Sequence, residues 1–121
     1  VYKPLFARLN SIDKFEAYRT VDKSDEEWDG PVGVVTNLLS SINYDRKNSV
    51  AVVCGPPIMM KFGTLKFIDM GYRDDEIYLS MEKNMSCGLG KCGHCMMGKY
   101  FVCKDGPVFT LERLAALPNE Y

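Results

Sequence analysis

Ser49-Val50-Ala51-Val52-Val53-Cys54-Gly55-Pro56-Pro57 is the stretch on which the reading of the fold turns. Its continuous apolar run, bounded by Asn48 and Gly55, is the pattern of a strand buried on both faces, as in a parallel sheet. Pro56 and Pro57 end that strand, and Ile58 to Met70 then reads as a helix closed by a C-terminal cap at Gly71. Ile77-Tyr78-Leu79-Ser80-Met81 is a further short strand. Upstream, the alternation of Phe15-Glu16-Ala17-Tyr18-Arg19-Thr20-Val21 predicts another strand. Val34, Val35, Leu38, Leu39 and Ile42 lay an apolar stripe along a helix over 34–42. Strand, helix, strand, helix, strand is the order of crossover units, so the chain is expected to be α/β, with a mostly parallel sheet covered by helices.

Residues 2–10 form a short predicted helix with Pro4 in its first turn, and Asp22 to Gly33 a charged loop carrying Trp28. After Glu82 the character changes. Residues 86–98 (SCGLGKCGHCMMG) hold four glycines and three cysteines, a composition unsuited to regular structure. Tyr100-Phe101-Val102-Cys103 and Pro107-Val108-Phe109, either side of Lys104-Asp105-Gly106, read as a hairpin. Thr110 can cap a last helix over 111–117, before Pro118.

The 121 residues suffice for one ordinary domain and fall short of a complete two-domain flavin-plus-nicotinamide reductase. Fifteen basic against sixteen acidic side chains leave a net charge of -1, which offers no electrostatic footprint for nucleic acid or anionic lipid. No apolar run is long enough for a membrane span, and the first residues do not read as a secretion signal. A reducing cytoplasm is the expected compartment. The five cysteines fit that expectation, since an odd number clustered at one end is not a disulfide framework.

Cys87, Cys92, Cys95 and Cys103 are spaced C-x4-C-x2-C-x7-C, and a four-residue gap followed by a two-residue gap opens the plant-type [2Fe–2S] pattern. Four thiolates wrapped around a body several ångströms wide need sharp backbone turns, which Gly88, Gly90, Gly93 and Gly98 allow. Backbone N–H groups in such a loop point inward at anionic sulfur, and Lys91 adds positive charge. Met81, Met85, Met96 and Met97 are expected as soft packing, and His94 as a loop residue. Two other readings stay open: a four-cysteine zinc site in a non-redox interaction module, and a thiol-redox pair at Cys92 and Cys95. No acid–base or nucleophile–base pair is evident, so the chain alone is not expected to be catalytic.

The segments VCGPPIMM (53–60), IYLSMEKNMSCGLGKCGHC (77–95) and YFVCKDGPVF (100–109) closely resemble the C-terminal part of the ferredoxin–NADP⁺-reductase-like electron-transfer subunits. This family includes sulfhydrogenase gamma subunits, the B subunit of anaerobic sulfite reductase and, more distantly, the electron-transfer subunit of dihydroorotate dehydrogenase. The resemblance implies a partial Rossmann-like nicotinamide-domain sheet over 1–82, followed over 83–121 by an iron–sulfur loop, hairpin and terminal helix. It implies Cys87, Cys92, Cys95 and Cys103 as ligands of a [2Fe–2S] cluster, with Cys54, Gly55, Pro56 and Pro57 facing nicotinamide and flavin. Asp22 falls where the family meets the adenosine ribose, and a carboxylate there favours NAD over NADP.

The family's opening strand, glycine-rich phosphate loop and flavin-binding Arg-x-Tyr-Ser segment have no counterpart here. A fragment or split subunit is therefore expected, one that holds neither FAD nor NAD(P) well alone. It would work with a flavin- and NAD-binding half and with a catalytic redox subunit such as a hydrogenase or a sulfite reductase. Its open sheet edge invites such a partner or self-association.

Overall fold

The computed structural model describes residues 3–117, which divide between two compact units, Val1–Asn43 and Tyr44–Tyr121.

In the first unit, α1 spans Lys3–Asn10, and the expected helix start at Tyr2 lies outside the described residues. The strand expected over 15–21 does not form. Only Val21 bridges, in parallel, to Val32, and Phe15 and Tyr18 stay exposed. A strand exists by pairing, and here the polar groups are taken up locally. Asn10 Oδ1 accepts from the Ala17 N–H at 2.8 Å, and the Thr20 hydroxyl donates to the Gly33 carbonyl at 2.8 Å. The helix expected over 34–42 shrinks to α2, Val35–Leu38. β-Branched Val34, Val35 and Thr36 are weak helix formers, and Ser41 donates its hydroxyl and its N–H back to the Leu38 carbonyl, closing the turn.

The second unit carries β1 (Ala51–Val53), α3 (Pro57–Asp69) and β2 (Ile77–Ser80), then β3 (Met96–Met97), β4 (Tyr100–Phe101), α4 (Val102–Asp105), β5 (Val108–Thr110) and α5 (Leu111–Ala115). Gly71, at φ 91°, ends the α3 turn as expected. β1 and β2 are parallel, with Ala51 opposite Ile77 and Val53 opposite Leu79. β5 joins the other side of β2 antiparallel, so the sheet is mixed, in the order β1-β2-β5.

Two expectations are corrected here. The 49–54 run is not buried on both faces: Val52 is 65% exposed between buried Ala51 and Val53. Helix α3 covers the face of Val53, where Gly63 lets the helix approach closely, and the Val52 side carries no such cover among the described residues. The hairpin around Lys104-Asp105-Gly106 does not form either. Asp105 turns back to accept the Phe101 N–H through Oδ2 at 2.8 Å and so closes α4. Tyr100–Phe101 pairs instead with Met96–Met97 across Gly98-Lys99, and Val108–Thr110 goes to β2. Thr110 caps α5 by accepting the Arg113 N–H, as predicted, while Pro118 lies outside the described residues.

One core ties these pieces together. Ile77, Leu79, Phe109 and Leu114 are buried with Met97, Val102 and Cys95, so the cysteine segment is anchored in the same apolar cluster as the sheet. Each large side chain buried there contributes ~1.5–3 kcal/mol of transfer free energy.

Candidate metal centre

The segment leaves the sheet at Met81, whose N–H donates to the Pro107 carbonyl at 2.9 Å. Beyond Ser86 it folds around the Cys87 sulfur. The backbone N–H groups of Leu89, Lys91 and Cys92 donate to Cys87 Sγ at 3.3, 3.3 and 3.4 Å. Such convergence needs the tight turns that Gly88 and Gly90 make at φ 67° and 68°. The three donors, led by Leu89, pull the Cys87 thiol down to about 6, with a smaller contribution from the neighbouring Cys92 side chain.

The other half of the segment is built on the core. Cys95 is 2% exposed, and its carbonyl accepts the Val102 N–H at 3.1 Å. The Cys103 N–H points at Cys95 Sγ over 3.5 Å. Contact with the Cys95 side chain, then burial, pushes the Cys103 thiol up, opposed by the Gly90 N–H that donates to it. Gly90 thus joins the two halves, and a Cβ on it would meet Lys104 Cδ at 3.0 Å and Phe101 at 3.5 Å. Cys92 neighbours Cys87, and Cys103 lies against Cys95 with Cys87 also within electrostatic reach. All five cysteines are free of disulfides.

Among the described residues, no group of three or more His, Cys, Asp or Glu side chains converges so as to hold one metal ion. Cysteine thiols met by backbone N–H donors are the donor set that an anionic iron–sulfur cluster takes. Of the methionines, Met97 is fully buried, while Met85 and Met96 are about half exposed.

Cys54 emerges exposed at the carboxyl end of β1, on a cavity of about 300 Å³ lined also by Gly55, Ser80, Met81, Glu82 and Pro107. A broader groove of about 1350 Å³ continues past Pro56 and Pro57 along α3. Both open where the parallel strands end, the place at which open α/β sheets take ligands. Asp22 is exposed in a bend after Val21 within the 1–43 unit. The role of Pro107 and Glu82 as crevice walls was not legible in the sequence, because it depends on β5 pairing with β2. Asp105 as a cap was hidden in a Lys-Asp-Gly run that reads as a turn.

Residues 82–115 match the model of the iron–sulfur cluster binding domain of dihydroorotate dehydrogenase B. The chain is also similar to curated sulfhydrogenase gamma subunits and dihydroorotate dehydrogenase B electron transfer subunits. The Pyrococcus furiosus sulfhydrogenase 2 gamma subunit is 46% identical to it over 82 residues, 64% of this chain and 28% of that protein. The sulfhydrogenase 1 gamma subunit of the same organism is 39% identical over 99 residues, 78% of this chain and 34% of that one. A probable dihydroorotate dehydrogenase B electron transfer subunit of Thermoplasma volcanium is 37% identical over 107 residues, 88% and 41% of the two chains. The chain thus spans well under half the length of these curated relatives. The solved structure of an NADH-dependent reduced ferredoxin-NADP oxidoreductase, from work on flavin-based electron bifurcation, superposes with a TM-score of 0.56 at 32% identity, over 90% of this chain and 44% of that one. Among the described residues, no helix is long and apolar enough to cross a membrane.

Proposed function

We propose that this electron-transfer relative carries a [2Fe–2S] cluster on Cys87, Cys92, Cys95 and Cys103. It passes single electrons between a flavin and a partner redox enzyme of the hydrogenase, sulfur reductase or sulfite reductase kind. The observation that carries the proposal is the Cys87 sulfur, met by three backbone N–H groups inside the segment that matches an iron–sulfur domain. When bound, the cluster supplies one-electron transfer, and the chain's residues set the terms. N–H donors on Cys87 favour the more negative, reduced charge state and so raise the potential. Cys95, sunk in the core beside Val102, keeps water from one side.

Reduced nicotinamide delivers a two-electron hydride, so a flavin must split it before a one-electron carrier can take part. The crevice at Cys54, Gly55, Pro56 and Pro57 is assigned to that flavin–nicotinamide end, and Asp22 to the ribose, favouring NAD. In this reading residues 1–82 are the later part of a nicotinamide domain and 83–121 the cluster-bearing part. FAD and the phosphate-binding half come from outside this stretch, and the unbridged cysteines suit a reducing cytoplasm.

Low-temperature EPR on anaerobically reconstituted, dithionite-reduced protein tests the proposal. A one-electron [2Fe–2S]⁺ signal, lost when any of the four cysteines is replaced, is expected. No signal, with zinc at one equivalent, would leave the fold intact and remove the function.

A further inference from the structure

We propose that Ser86 and His94 form a clasp that positions the cysteine loop, keeping the backbone donors aimed at the Cys87 sulfur. The proposal deepens the reading above and rests on its four ligands. Ser86 Oγ and His94 Nδ1 lie 2.6 Å apart, a short hydrogen bond. Ser86 immediately precedes Cys87, and His94 stands between Cys92 and Cys95. The bond therefore ties the entrance of the loop to the link between its second and third thiols.

What it encloses is backbone with little stiffness of its own. Gly88, Gly90 and Gly93 all have positive φ, and glycine has the most conformational freedom to lose on ordering. The N–H contacts to Cys87 Sγ, at 3.3 to 3.4 Å, depend on the peptide planes between residues 88 and 92 keeping their tilt. A direct side-chain bond across the base of the loop limits that tilt. In the clasp His94 acts through Ser86, as a positioning residue.

The test uses the whole chain, reconstituted with iron and sulfide, as wild type, Ser86→Ala, His94→Ala, the double variant, and the conservative Ser86→Thr and His94→Asn. His94→Asn puts an amide oxygen close to where Nδ1 stood. Three quantities are read: the rate of iron release to a chelator, the EPR g-values of the reduced cluster, and its midpoint potential. Each alanine variant is expected to release iron about two- to tenfold faster, the worth of one hydrogen bond. Its potential should fall, because donation to Cys87 weakens, and its g-values should shift. The double variant should be no worse than the more affected single variant, and the conservative variants should return toward wild type. Additive losses in the double variant, or wild-type potential and g-values in Ser86→Ala, would overturn the clasp while leaving the cluster reading standing. A wild-type chain that takes up no cluster would overturn both.

Discussion

The backbone N–H of Cys103 points at the sulfur of Cys95 across 3.5 Å, bringing the start of α4 onto a thiol sunk in the apolar core. Cys103 is thereby the cysteine through which the far end of the chain closes on the loop. Replacing it should loosen the centre without touching the sheet, since the 49–71 strand and helix pack through Val53, Met60 and Gly63. Cys103→Ser is expected to bind less iron and lose its normal EPR signal while keeping wild-type far-ultraviolet circular dichroism. A normal cluster in this variant would sink the four-ligand assignment.

The metal-free chain should show one unusually reactive thiol. An ordinary cysteine ionises near 8.5. Three N–H donors bring Cys87 to about 6, so at neutral pH it is mostly thiolate, the nucleophilic form. Alkylation by iodoacetamide, mapped by mass spectrometry from pH 5 to 9, should label Cys87 first, with its rate levelling off above neutrality. Exposed Cys54, labelling ahead of Cys87 at pH 7, would contradict this.

Acid should weaken the second unit through Glu76. Its Oε2 accepts from Arg46 Nη2 at 2.6 Å and from the Arg73 N–H at 2.8 Å, while the Arg46 guanidinium lies 4.0 Å over the Tyr72 ring and donates to the Gly71 carbonyl. Arg46, then the Arg73 backbone, holds the Glu76 carboxyl below its ordinary value. A carboxyl depressed in the folded state contributes stability above its unfolded pKa of about 4.3, and that contribution is lost as pH falls through the folded value. Urea unfolding between pH 7 and 3 should show this loss, and Glu76→Gln should flatten it. An unchanged pH dependence in Glu76→Gln would refute the assignment.

Phe109 is the side chain on which sheet and loop meet. It is 1% exposed, sits opposite Leu79 in the register, and its ring lies 5.5 Å from that of Tyr100 on β4. Phe109→Ala should cost ~3–5 kcal/mol, by lost transfer free energy and the cavity left behind. Denaturant unfolding would measure it, and a cost under about 1 kcal/mol, as for a surface change, would show that the loop does not share the sheet's core.

Where a local pattern carries its own physical cause, the sequence was enough. Pro57 with Gly71 bracketed α3, Thr110 capped α5, and the spacing of Cys87, Cys92 and Cys95 with glycine between them announced a thiolate loop. Alternation over 15–21 and the apolar run over 49–54 misled, because each states what a strand would bury and not whether a neighbour is there to pair with it or cover it. Val52 is apolar and exposed for that reason.

Residue identity and spacing alone thus determined the four-thiol segment, the long helix and the strand before it, since caps, turns and ligand gaps act within a few residues along the chain. Tertiary structure alone decided that β5 runs antiparallel onto β2 and that Cys95 is buried in the sheet's core. Those outcomes depend on which distant groups find one another once water is excluded, and hydrophobic burial, being non-directional, writes no local signal for its partners.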